Sequence, residues 1–255
     1  MPYIQLTSHI AFIMKPETTL IKEAVRSLDA TNGGIETYPI SDYLLHSLFL
    51  RLTGAQEQKL KCICWEMACR DYEYRYERYE RKPYGECSSY DDKCMVYNDL
   101  LNELKKLDET FDVTDIIRDE VLDDWRTSIQ KVLENSLLVR NFKKGYDEYK
   151  LLAINIDKDW IMKDTQLFVK KDNLKPEKII KTCGLALQEI FKEYVYKERN
   201  RCAHNTRSYQ HNLPSISEMM SSGYRLQNYF LYMSIIILLD KIYIKLFEVY
   251  LSKVG

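Results

Sequence analysis

The stretch KERNRCAHNTRSYQHNLP, residues 197–214, concentrates side chains that can bind phosphate and transfer protons. It contains two of the four histidines of the chain. On an α-helix, Asn200 and His204 lie on one face, one turn apart. Arg199 is one position away from that face, and its long side chain can reach it. One helical turn could therefore present a guanidinium, an amide and an imidazole to a single small volume.

These three groups are the ones needed to cleave RNA without a metal ion. An imidazole titrates near neutral pH, so His204 could remove the proton of a ribose 2′-hydroxyl or protonate the leaving 5′-oxygen. The planar fork of Arg199 suits the scissile phosphate, and the amide of Asn200 could orient the site. Proton removal and proton donation occur on opposite sides of the phosphorus, so one histidine is insufficient. A homodimer whose two-fold axis joins two copies of the motif would supply both, in a composite active site.

Further residues of the stretch could contact RNA beside these three. Arg201, Arg207 and His211 could extend the phosphate-binding surface, and Tyr209 could stack on a base. An exposed loop without function explains each of these equally well. Cys202 lies inside the motif, but we interpret it as a packing residue because no histidine base is held against it by the spacing.

An arginine, an asparagine, three further residues and a histidine, near the end of an all-helical domain, resemble the HEPN superfamily. The string RNRCAHN is similar to abortive-infection-type HEPN proteins and to the nuclease motifs of RNA-guided RNA-cleaving effectors. Arg199, Asn200 and His204 match the motif position by position, and the clear resemblance covers residues 176–252. HEPN toxins paired with nucleotidyltransferase antitoxins carry His-x-Tyr, whereas here Asn205 and Thr206 follow the histidine, so that branch is disfavoured.

The resemblance implies a fold, an activity and a setting. It implies a four- or five-helix bundle, a face-to-face dimer, and a metal-independent endoribonuclease that leaves 2′,3′-cyclic phosphate and 5′-hydroxyl ends. The setting would be that of a toxin or an antiviral, abortive-infection effector. Such an enzyme would harm its host if always active, so we expect an antitoxin or another regulatory partner.

Composition and charge argue against several other classes of function. The formal net charge of the 255-residue chain is −1, so no strong overall field attracts nucleic acid or anionic lipid, and any RNA site must be local. The seven cysteines include no Cys-x-x-Cys, which argues against a zinc site and favours reduced core thiols in a cytoplasmic protein. The apolar run YFLYMSIIILL is too short to span a membrane before Asp240 and Lys241. We therefore expect no metal, no cofactor and no membrane contact.

Hydrophobic spacing predicts one all-α domain. The resemblance implies that its HEPN-like core covers about residues 111–255, preceded by an N-terminal helical part over about residues 1–110. Ser41 is the expected cap of the second helix, and YKLLAINI, within the uncertain region 136–175, fits either a strand or a helix. The loop KPYGECSSYDD separates the third and fourth predicted helices. The predicted helices cover 17–30, 41–53, 54–82, 93–108, 112–135, 176 to the motif, 215–222 and 225–252.

Two other functional interpretations remain open. The chain could be a non-catalytic HEPN-like module that binds RNA or nucleotide, or that only forms a helical dimer. A metal-dependent nuclease is disfavoured, because the candidate carboxylates lie in helical patterns whereas that chemistry is usually built on strands. Those carboxylates are the pairs Asp91–Asp92, Asp123–Asp124 and Asp157–Asp159 and the Glu-x-Lys strings at 57–59 and 103–105. The string DYEYRYERYERKPY has balanced charges, so a solvated or dimer-contacting helix is favoured over an RNA-binding face.

Overall fold

The computed structural model describes residues 7–31, 33–81, 83, 85–113, 115–163, 166–170, 190–204 and 227–254, with the backbone alone at 115–119, 154–163, 166–170 and 204. This part of the chain is helical apart from one hairpin, which confirms the all-α class. The helices are α1 (Ser8–Met14), α2 (Thr18–Asp29), α3 (Tyr38–Ala68), α4 (Tyr72–Arg75), α5 (Tyr90–Leu107), α6 (Asp115–Leu133), α7 (Leu137–Asn141), α8 (Lys143–Asp159), α9 (Tyr196–His204) and α10 (Tyr229–Val254). A 3-10 turn (Ile35–Thr37) precedes α3, and π-helical turns occupy Tyr76–Arg81 and Phe191–Val195.

The apolar helix α10 forms the centre of the fold. It contacts α1, α3, α5, α6 and α8, and every residue from Phe230 to Asp240 is buried. A helix that is apolar around its whole circumference belongs in a core, where neighbours cover every face. Polar atoms in this layer are paired: Trp125 Nε1 donates to the carbonyl of Ser234 at 2.9 Å, and Ser234 Oγ donates to Tyr149 Oη at 3.3 Å.

A buried ion pair joins α10 to α3. Lys59 Nζ contacts Asp240 Oδ1 and also donates to the carbonyl of Lys15 at 2.8 Å. Asp240 Oδ2 accepts the backbone N–H of Glu17 at 2.9 Å, so the turn between α1 and α2 is attached to the same carboxylate. Both carboxyl oxygens of Glu17 are buried with no hydrogen-bond partner among the described residues. This burial, together with the nearby charge of Asp240, raises the pKa of Glu17 well above its usual value.

The prediction of separate helices at 41–53 and 54–82 is wrong. A single helix, α3, covers 38–68, and Gly54 sits within it because no helix-breaking proline follows and packing outweighs the weak helix propensity of one glycine. Ser41 is not a cap: it is buried inside α3, where its Oγ donates to the carbonyl of Thr37 at 3.0 Å. The helix predicted at 54–82 does not continue to residue 82: α3 ends at Ala68, and Asp71 caps the separate helix α4 by accepting the N–H of Tyr74 at 2.9 Å.

The other boundaries fall close to the predictions. α2 corresponds to the helix predicted at 17–30. α5 begins three residues before the predicted start, because Ser89 and Asp92 form a reciprocal capping box. YKLLAINI is helical, within α8. The hairpin of β1 (Trp160–Lys163) and β2 (Gln166–Lys170), which is antiparallel, and the short α7 were not predicted.

Two predicted features lie outside the described residues: the first part of the helix predicted from 176, up to residue 189, and the helix predicted at 215–222. Within the described ranges, no helix combines the length and the apolar character that crossing a membrane requires.

Candidate active site on helix α9

The residues just before α9 anchor the motif to α5. Ile190, Phe191 and Val195 are buried, and the ring of Phe191 lies 5.9 Å from that of Tyr90. Lys93 Nζ lies 5.3 Å from the centre of the Phe191 ring, a cation–π contact in the core. The π-helical turn Phe191–Val195 then leads directly into α9. A π turn shifts the phase of a helix, so it sets which face of α9 meets α3.

Arg199 and Asn200 are in contact, because the long arginine side chain reaches the neighbouring face of the helix. Arg199 Nη1 donates to Asn200 Oδ1 at 3.4 Å, while Nη2 lies 3.2 Å from Oε1 and 3.4 Å from Oε2 of Glu57 on α3. The side chain of Arg199 is 30% exposed and that of Glu57 is 14% exposed. The guanidinium is therefore held at the surface by one acidic partner, with part of its fork open to solvent.

His204 is the last residue of α9, and its backbone is helical. Residues 200 and 204 therefore share one face of the helix through the backbone geometry alone. The imidazole of His204 is not among the described side chains. Arg207, Tyr209 and His211, the other predicted RNA contacts, lie outside the described residues.

Glu198 organises a second group of side chains, which we call the Glu198 cluster: Glu198, Arg201, Cys202 and Tyr229. Arg201 Nη2 lies 2.7 Å from the carboxylate of Glu198, and Tyr229 Oη donates to the same carboxylate. Burial and the adjacent charge of Glu198 raise the pKa of Tyr229, so its hydroxyl stays protonated and acts as a donor. Arg201, which is predicted to extend a phosphate-binding surface, is paired with Glu198 in the structure.

Cys202 is a packing residue of this cluster. Its Sγ lies 3.3 Å from Tyr229 Oη and 3.6 Å from Glu198 Oε1. Burial raises the pKa of the Cys202 thiol above its usual value, which disfavours the thiolate that a nucleophile requires. The geometry thus agrees with the interpretation of this cysteine as a core thiol.

His46 contacts the cluster from α3 but lies too far from Arg199 to complete its site. Its ring meets Tyr229 edge-on at 4.7 Å, and its Nδ1 lies 3.7 Å from Asp42 Oδ2. Eleven residues separate His46 from Glu57 on the same helix, an axial distance of about 16 Å. His46 therefore does not supply an imidazole beside Arg199.

Glu57, Glu198 and Tyr229 are site residues that sequence reasoning missed. Glu198 directly precedes Arg199, so its acidic character next to the motif was a usable signal. Glu57 had been considered only as part of a Glu-x-Lys metal site, and the two members of that string turn to different partners, Glu57 to Arg199 and Lys59 to Asp240. Among the described side chains, no three histidine, cysteine or acidic residues converge as metal ligands.

Comparisons of the chain with protein-family models, with curated proteins and with solved structures find no match.

Proposed function

We propose that the chain is a metal-independent, HEPN-like endoribonuclease that acts as a homodimer in a toxin or antiviral role, under an antitoxin or another regulatory partner. The observation that carries the proposal is the arrangement on α9. Arg199 and Asn200 are in contact at the surface, and the backbone places residue 204 one turn further along the face of Asn200. This matches the order and spacing of the HEPN motif and the groups needed to cleave an RNA phosphodiester.

In the proposed reaction, Arg199 binds the scissile phosphate and stabilises the charge that develops on it. The ribose 2′-oxygen attacks phosphorus and loses its proton to His204 of one copy. The bond from phosphorus to the 5′-oxygen breaks, and His204 of the second copy protonates that oxygen. The products are a 2′,3′-cyclic phosphate and a 5′-hydroxyl, so no water and no metal ion take part in this step.

Glu57 has a defined place in this proposal. In the free chain its carboxylate contacts Nη2 of Arg199, and the side-chain oxygen of Asn200 accepts from Nη1. A phosphate offers the same bidentate geometry as a carboxylate, so the RNA phosphate replaces Glu57 when substrate binds. Glu57 thus orients Arg199 before binding and competes with RNA for it.

The test is RNA cleavage in EDTA by the wild type, Arg199→Ala and His204→Ala, with folding and dimerisation measured on the same samples. Lys197→Ala is the control, because Lys197 is an exposed cation on the same helix that pairs with Glu193. We expect the wild type and Lys197→Ala to cleave in chelator and the other two variants to be inactive while folded and dimeric. Cleavage that persists in His204→Ala, or that stops in EDTA, would contradict the proposal.

One observation favours a second function, a non-catalytic HEPN-like module. Arg199 is paired with Glu57 and Arg201 with Glu198, so both arginines of the motif already have acidic partners within the chain. If these pairs serve only to hold α9 against its neighbours, the protein would bind RNA or nucleotide, or dimerise, without cleaving. Salt-sensitive RNA binding by the wild type, with no cleavage of any RNA, would favour this function.

A further inference from the structure

A cleft of about 360 Å³ is lined in part by Tyr229 and does not include Arg199 among its described lining residues. It lies between the start of α3, the junction of α7 and α8, and the start of α10, and we call it the α8 cleft. This volume falls within the range of about 300–1,000 Å³ typical of small-molecule sites. Its described lining residues are Tyr38, Asp42, Leu45, Asn141, Phe142, Lys143, Lys144, Gly145, Glu148, Gln227, Asn228, Tyr229 and Phe230.

Aromatic rings form much of the wall of the α8 cleft. The rings of Tyr38 and Phe142 are 5.1 Å apart, and Tyr38 is half exposed, so its ring offers a free surface to a ligand. Tyr229 and Phe230 contribute from the start of α10. Flat rings beside a cleft of this size suit a nucleobase, because every base has a π-face that stacks on an aromatic side chain.

Two cations stand at the same opening. Lys143 and Lys144 are exposed, and neither has an ion-pair partner among the described residues. They are the first two residues of α8, where the backbone N–H groups have no acceptor within the helix and the helix dipole favours an anion. Two ammonium groups at this end of the helix are suited to a phosphate.

Two carboxylates, those of Asp42 and Glu148, also line the cleft. Asp42 is engaged on the α3 side, with His46 Nδ1 at 3.7 Å from its Oδ2. Glu148 lies on α8, just over one turn after Lys144, and its oxygens can accept hydrogen bonds from a base amino group or from ribose hydroxyls. The cleft therefore combines stacking, phosphate-binding and ribose- or base-binding groups.

We propose that the α8 cleft binds one nucleotide, with its base against Tyr38 and Phe142 and its phosphate on Lys143 and Lys144. The nucleotide is either a free nucleotide or one unit of an RNA strand. Tyr229 connects the two sites, since its ring lines the cleft while its hydroxyl bonds to Glu198, the residue before Arg199. Binding of an RNA strand in the cleft rests on the proposed ribonuclease function, whereas binding of a free nucleotide does not.

The experiment measures binding of the full chain to adenosine monophosphate, adenosine, inorganic phosphate and a 2′-O-methyl oligoribonucleotide that cannot be cleaved. Lys143→Glu/Lys144→Glu is compared with Lys150→Glu, an exposed lysine of the same helix that pairs with Asp147 outside the cleft. Tyr38→Ala is compared with Tyr43→Ala, which is more exposed, lies on the same helix and does not line the cleft. Acidic residues are favourable in the first turn of a helix, so the double substitution keeps α8 folded.

We expect the double lysine variant and Tyr38→Ala each to weaken binding by about tenfold or more, and the two controls to change it by less than about twofold. Binding of the monophosphate but not the oligonucleotide would identify a free-nucleotide site, and the reverse would identify a strand site. Equal binding by the double lysine variant and the wild type, or no binding of either ligand, would overturn the proposal. Binding of the oligonucleotide is also measured with His204→Ala, so that binding in the cleft is interpreted independently of the proposed catalytic residue.

Discussion

Replacing Glu57 by glutamine is expected to strengthen RNA binding. The contacts of Arg199 with Glu57, at 3.2 and 3.4 Å, are longer than a strong charge-assisted hydrogen bond, and both side chains retain some exposure to solvent. Such a pair contributes about 1 kcal/mol after desolvation and side-chain ordering. If a phosphate must displace Glu57, removing this competitor increases RNA affinity by the equivalent free energy, which is about fivefold.

The assay is equilibrium binding of a non-cleavable 2′-O-methyl RNA, with urea unfolding measured in parallel. Glu73→Gln is the control, because it makes the same change of net charge at an exposed position on α4. The gain is expected to disappear when Glu57→Gln is combined with Arg199→Ala. An RNA affinity that stays unchanged or falls in Glu57→Gln, while stability drops by about 1 kcal/mol, would refute the competition and leave only a structural ion pair.

Three further predictions concern buried groups. Asp240→Asn should lower the free energy of unfolding in urea by about 3–5 kcal/mol, because it leaves the buried ammonium of Lys59 without its partner. As a control, Asp124→Asn, which replaces a mostly exposed carboxylate, should lower it by less than about 1 kcal/mol. Equal losses in the two variants would contradict the argument from burial. The pKa of Glu17 is raised in the folded state, so the native state keeps a proton that the unfolded state releases. The free energy of unfolding should therefore fall as the pH rises above the usual carboxyl pKa of 4.5. Glu17→Gln should reduce this dependence on pH, and an unchanged slope of stability against pH would show that Glu17 is not its source. At pH 8, Cys202 should be alkylated more slowly than the exposed Cys69, because burial raises the pKa of the Cys202 thiol. Peptide mass spectrometry measures both rates, and faster modification of Cys202 would indicate an activated thiol.

The helical framework could be predicted from apolar spacing where the spacing is strong. Residues 230–239 of α10 are apolar around the whole circumference of the helix, which is enough to place this part in a core. α3 shows the limit of the method, since Gly54 and Ser41 resemble a boundary and a cap, and only packing against α1, α5 and α10 explains why the helix continues through both. The hairpin at 160–170 has no turn signal of the Asn-Gly type, so local chemistry did not reveal it.

The contacts of the candidate site likewise divide into those that the sequence could predict and those that it could not. The contact between Arg199 and Asn200 could be predicted, because the two positions are adjacent on one helix and the long arginine side chain can reach the neighbouring face. Glu57 lies 142 residues before Arg199, and Tyr229 follows Glu198 by 31 residues. No periodicity relates such distant positions, so only the tertiary packing of α9 against α3 and α10 identifies them as partners.

The most direct test of the proposed chemistry uses an RNA carrying one 2′-deoxy nucleotide at the mapped cleavage position, with product ends analysed by mass spectrometry in EDTA. Attack by the 2′-hydroxyl predicts that unmodified RNA yields 2′,3′-cyclic phosphate and 5′-hydroxyl ends and that cleavage at the deoxy position stops. Continued cleavage at that position, or products with 5′-phosphate ends, would contradict the assignment of Arg199 and His204 to a metal-independent ribonuclease site.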